Sequence, residues 1–115
     1  MTSPAIDPAR YAELQDTAGA EFVAELVDTF LEEAPTMLAE LRAARAAADA
    51  DRFRRAAHSL KSNGHTFGAL TLGALARDLE LTGMSDDAAQ DVARLDALEA
   101  EYMRAAAALR ALRHG

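Results

Sequence analysis

Apolar residues in this chain recur three and four positions apart almost from end to end, and no run alternates them with polar ones. Phe22, Val23, Leu26, Val27, Phe30 and Leu31 show the spacing, as do Val92, Leu95, Leu98, Tyr102, Ala105, Leu109 and Leu112. Such a period belongs to a helix with one buried stripe, and the missing two-residue period removes half-buried strands. Composition agrees. Twenty-nine of the 115 residues are alanine, and Leu, Glu and Arg, also strong helix formers, supply much of the remainder. The expected fold class is all-α.

Boundaries follow from caps and breakers. Asp7-Pro8 pairs an N-cap with proline at the first helical position, which starts a short helix over residues 8–18 that Gly19 can end. An amphipathic helix follows. Pro35 cannot donate inside a helix and restricts Ala34, so a break is predicted there, with a new helix burying Met37, Leu38, Leu41, Ala44 and Ala48. Asp49 or Asp51 caps the next helix, residues 51–67, whose apolar face is Phe53, Ala57, Leu60, Gly64 and Phe67, with Gly68 as a left-handed terminator. A helix over 70–82 buries Leu72, Leu75, Ala76 and Leu79, and the last runs over 88–112. Phe22, Phe30, Phe53 and Phe67 are expected in the core. Short connections make successive helices antiparallel neighbours. The expected architecture is an antiparallel up-down four-helix bundle with an additional short N-terminal helix. It forms a single domain over 1–115, with 1–19 as N-terminal helix and lead-in and 20–113 as the bundle.

The absence of cysteine excludes disulfides and thiolate metal sites and suits a reducing compartment. The opening "MTSPAIDPAR" lacks the apolar stretch of a secretory signal, and no segment approaches the roughly 18–20 apolar residues that span a bilayer. A cytoplasmic protein with no membrane partner is expected, and Met1 and the close of the last helix suit a free-standing chain. A formal charge of −7 argues against nucleic acid, because phosphates would be repelled over most of the surface. The distribution is uneven. Residues 51–65 carry Arg52, Arg54, Arg55 and Lys61 against Asp51 alone, a balance of +3 in an acidic chain.

His58 stands at the centre of that cationic island. On a helical wheel advancing about 100° per residue, Arg54, Lys61, Ser62 and His65 fall within about 60° of it, beside the apolar face. A neutral imidazole is a good nucleophile near neutral pH and forms covalent intermediates. If the group it takes is phosphoryl, the protein has chiefly to position it and stabilise its charge. An ammonium one turn away suits that task. Eleven of the twelve basic residues are Arg, so the single lysine, Lys61, stands out at this spot. Arg54 and Arg55 are read as steering an acidic partner. Gly64 falls toward the core side, where a missing side chain admits either an adjacent helix or a partner's backbone. A metal site on His58 and His65 is excluded, since seven residues span about 10.5 Å of helix axis.

The string "AHSLKSNGHTFGA" resembles the signature of histidine-containing phosphotransfer (HPt) domains, approximately H-x-L-K-G/S-x-x-x-x-x-G, at His58, Leu60, Lys61, Ser62 and Gly68. The likeness covers residues 20–83, and the final helix follows it in pattern. It implies that His58 accepts a phosphoryl group on Nε2 from a receiver-domain aspartyl phosphate and passes it to another receiver. It also implies that Mg²⁺ is supplied by that receiver and that no cofactor is held here. Glu80 occupies the place on the next helix from which family members bond the phosphoacceptor's Nδ1. The expected partners are response-regulator receivers and a hybrid histidine kinase, met by a monomer. No G-x-x-x-x-G-K-[ST] loop is present, so the chain is expected to be a phosphocarrier and not an enzyme acting on ATP. One departure from the pattern is His65, where the family has Ala or Gly. It is read as a specificity determinant on the docking face, or as a ring folded over Ser62 or Arg54. Two other readings stand beside this one: a helical adaptor that binds a receiver without exchange, and the phosphoacceptor domain of a chemotaxis-type kinase.

Overall fold

The computed structural model describes residues 4–114, so Met1 and two more residues of the lead-in, with Gly115, lie outside it. Its elements are five α-helices: α1 (Pro8–Ala18), α2 (Ala20–Ala46), α3 (Ala50–Thr66), α4 (Leu70–Thr82) and α5 (Ala88–His114). No strand occurs among the described residues. The polar caps do the local work. Asp7 Oδ1 accepts from the Ala9 amide at 3.0 Å, Asp49 Oδ1 from Arg52 at 3.1 Å and Asp87 Oδ1 from Ala89 at 3.0 Å. Each satisfies an amide that the first turn leaves without a partner. Asp49 is therefore the cap of α3, not Asp51. Gly68 follows α3 at φ 80°, in the left-handed region.

Pro35 does not break the chain as its chemistry predicts. α2 runs through it without interruption. Proline removes the hydrogen bond that the Leu31 carbonyl, four residues earlier, would accept. The Tyr102 hydroxyl of α5 donates to that carbonyl at 3.4 Å, so a tertiary contact replaces a helical one. Ala34 and Leu38, on either side of the proline, are buried and keep the helix on the core.

α3 packs against α2 and α4, α5 closes against α2 and α4, and α1 lies on α2. The core draws on every helix. Phe30 meets Phe67 at a centroid distance of 5.3 Å and Tyr102 edge-on at 5.9 Å. Three expectations fail here, the first at Ala48, which is exposed because α2 ends at Ala46 and Ala48 stands in the following turn at φ 55°. Phe22 is 52% exposed, because α2 turns Val23, Val27, Phe30 and Ala34 inward and Phe22 lies off that stripe. Val92 is also exposed, and its neighbour Asp91 is fully buried in its place. No helix among the described residues is long and apolar enough to cross a membrane.

α1 holds the turn between α3 and α4. The Asp7 amide donates to the Gly68 carbonyl at 2.8 Å, and Ile6 and Tyr11 are buried. A Cβ on Gly68 would stand 2.8 Å from Arg10 Cβ, so glycine there serves both its φ and the seat of α1.

Candidate functional site

The α3–α4 pair carries the candidate site. The two helices cross closely at Gly64. A Cβ on it would touch the Ala69 carbonyl and the Gly73 amide, each at 3.4 Å. Gly64 is buried against α4, so of its two readings the adjacent helix holds, and Gly64 does not lie on the exposed docking face.

From this crossing, α4 runs back along α3 and brings Glu80 beside His58. His58 Nδ1 donates to Glu80 Oε2 at 2.6 Å, and Lys61 Nζ donates to Glu80 Oε1 at 2.6 Å. One carboxylate thus serves both groups, one oxygen each. Lys61 foremost, opposed by partial burial and helped by His58, holds the Glu80 carboxyl below the usual carboxylate range. An ionised carboxylate can only accept, so the proton of a neutral imidazole sits on Nδ1. The lone pair is left on Nε2, across the ring. The His58 side chain is 58% exposed, whereas Lys61 and Glu80 are mostly covered at 23% and 17%. The nucleophilic atom is presented and its supports are tucked under it.

The rest of the predicted set is more scattered. Arg54 Nη2 and Arg55 Nη2 take the two oxygens of Asp51, at 2.9 and 3.1 Å. Both arginines stay well exposed, so these pairs bind them weakly and leave them available to an acidic partner. Ser62 is exposed, and its carbonyl accepts from Thr66 Oγ1 at 3.0 Å. His65 is exposed, and its ring is turned toward α4. It lies on Gly73 of α4, where a Cβ would come within 2.1 Å of it. Among the described residues no group of three or more His, Cys, Asp or Glu side chains could hold a metal ion.

A second polar cluster was not visible in the sequence. Asp91, fully buried, accepts from the Ser85 amide at 2.9 Å, from Arg45 Nε at 2.6 Å and from Arg94 Nη1 at 3.3 Å. Arg94 also reaches Asp78 Oδ2 at 3.2 Å, the Gly83 carbonyl at 3.2 Å and Thr82 Oγ1. These contacts fasten the end of α4 that carries Glu80 to α5 and α2. Burial alone would raise the Asp91 carboxyl, but the bonds from Ser85 and Arg45 outweigh it and hold it below the ordinary range. The only sequence sign was an Asp one place before an apolar stripe.

The geometry, a presented histidine with a covered Lys and Glu behind it, agrees with comparison to known proteins. The family model of the Hpt domain matches residues 25–112. The chain belongs to the Hpt domain family. A crystal structure of histidine-containing phosphotransfer protein B (HptB) from Pseudomonas aeruginosa PAO1 superposes with a TM-score of 0.86 at 27% identity, over 98% of this chain and 97% of that one. No curated protein matches the sequence. As an Hpt domain, the chain is a histidine phosphotransfer intermediate of two-component phosphorelays, a phosphocarrier and not a kinase, and its partners are receiver domains.

Proposed function

We propose that His58 is the phosphoacceptor, taking its group from the aspartyl phosphate of one receiver and delivering it to another. The observation that carries the reading is the 2.6 Å bond from His58 Nδ1 to Glu80 on a ring more than half exposed. The Nε2 lone pair attacks phosphorus, the bond to the aspartyl oxygen breaks, and its electron pair leaves with that carboxylate. The ring becomes a phosphoimidazolium that keeps its Nδ1 proton, and Glu80 faces the new positive charge. No proton moves, so the onward step retraces the same path with a second receiver's carboxylate as nucleophile.

Lys61 lies one turn from His58 and exchanges one oxygen of Glu80 for an oxygen of the arriving phosphoryl group. Arg54, Arg55 and Ser62 form the docking face, with His65 at its edge against α4. All three groups at the centre come from one chain, which supports a monomer. Mg²⁺ belongs to the receiver, where the acyl phosphate is made. With no nucleotide loop in its sequence, the chain receives phosphate from proteins in the cytoplasm, a hybrid kinase among them, and not from ATP. The closed ring of contacts through α2, α3, α4 and α5 supports an antiparallel four-helix bundle with α1 as its addition.

The test is transfer from receivers charged with acetyl phosphate. Wild type is expected to gain an acid-labile label, and His58→Gln to gain none. The substitution is on the surface and should alter stability by no more than about 0.5 kcal/mol. Label retained by His58→Gln would place the acceptor elsewhere. Receivers that bind wild type without transferring would make the protein an adaptor.

A further inference from the structure

We propose that Gly73 is a specificity-determining residue for receiver docking, because it parks the His65 ring against α4 and keeps the α3 face beside His58 open. The inference rests on the phosphocarrier reading above. His65 stands about 10.5 Å beyond His58 along α3 and within about 20° of it around the helix. A ring free to project there would stand on the surface that a receiver covers when it brings its aspartyl phosphate to His58.

Gly73 has no conformational reason to be glycine. It lies inside α4, and it is not among the glycines with positive φ, which are Gly19, Gly68 and Gly83. A glycine within a helix weakens it relative to alanine. What glycine supplies here is space. A Cβ at residue 73 would stand 2.1 Å from Cδ2, 2.3 Å from Nε2 and 3.3 Å from Cγ, all three atoms belonging to His65. The ring occupies the volume that any other side chain at 73 would claim. The close crossing at Gly64 brings α4 near enough for the ring to reach it. With that seat filled, the ring leaves α4 and has two ways to go, into the cleft it lines with Arg10, Glu13 and Thr17 or along α3 toward the stripe that carries Ser62 and His58; the second is the one that raises KM.

The experiment uses four proteins: wild type, Gly73→Ala, His65→Ala and the double variant. Receiver domains charged with acetyl phosphate are presented at rising concentration, and label on His58 is followed. Gly73→Ala should fold, since alanine is the better helix former and the obstructing atoms lie on a side chain that can rotate. For receivers that wild type uses, it is expected to raise KM roughly five-fold or more. The rate at saturation and the ¹⁵N shifts of the His58 ring should stay unchanged. Adding His65→Ala should return KM to that of His65→Ala alone, because the displaced ring is then gone. A Gly73→Ala protein with the wild-type KM, or a double variant that keeps the defect, overturns the inference. Wild type that takes no label from any charged receiver overturns the carrier reading itself, so the two failures are distinct.

Discussion

At the scale of single residues, the site turns on how one carboxylate is divided. Glu80 gives one oxygen to His58 Nδ1 and the other to Lys61, so removing either end disturbs a different function. Lys61→Ala takes away the cation expected on the phosphoryl group. A hydrogen bond to a charged group contributes about 1.5–3 kcal/mol, so single-turnover transfer should slow roughly ten- to a hundred-fold, with receiver affinity changing less. An unchanged rate would assign the charge stabilisation to Arg54. Glu80→Ala has another signature. With no acceptor at Nδ1 the ring samples both tautomers, and a fraction of molecules carries its proton on the attacking nitrogen. NMR of the His58 ring should show Nδ1–H alone in wild type and a mixture in the variant, with a slower transfer rate. Equal tautomer populations in the two proteins would remove Glu80 from the orienting role.

At the scale of helices, two polar contacts decide where elements lie. Tyr102 answers the carbonyl that Pro35 leaves open and lets α2 continue as one rod. The Asp91 cluster fastens the Glu80 end of α4. Because the Asp91 carboxyl is held below its ordinary value of 3.8, its contribution to stability is present above that pH. It is lost as pH falls through the lower, folded-state value. Asp91→Asn should therefore cost about 2–4 kcal/mol near neutral pH, where a buried charge partner is removed. It should also lose less than wild type on further acidification to about pH 3. Urea midpoints at both pH values check this. Parallel acid losses in the two proteins would show that Asp91 does not control the acid limb.

At the scale of the whole molecule, an acidic chain of net charge −7 gathers Arg52, Arg54, Arg55 and Lys61 around its nucleophile, each ion-paired within the chain, and places that nucleophile in the open. Water reaches the ring until a partner covers it, so positioning and exclusion of solvent are completed by the receiver. Much of this was legible from the residues. Helix content, the cap at Asp7, the terminator at Gly68 and the apolar face of α3 are local matters, written in spacing and in the chemistry of single side chains, whereas the choice of Asp49 over Asp51 as the cap of α3 came only with the structure. The His58 signature is also local, since four of its five residues fall within one helix. Other features depended on what lies across the core. Pro35 reads as a break until Tyr102 arrives from 67 residues later to satisfy Leu31. Asp91 reads as a surface acid until Arg45 and Ser85 meet it, and Val92 is then turned outward. Glu80 is 22 residues from His58, and only the packing of α4 along α3 makes them neighbours. Periodicity and capping act within a turn or two and are determined by the sequence alone. A buried charge, an open carbonyl or a ring seated on a glycine takes its partner from another helix, and only the tertiary structure decides it.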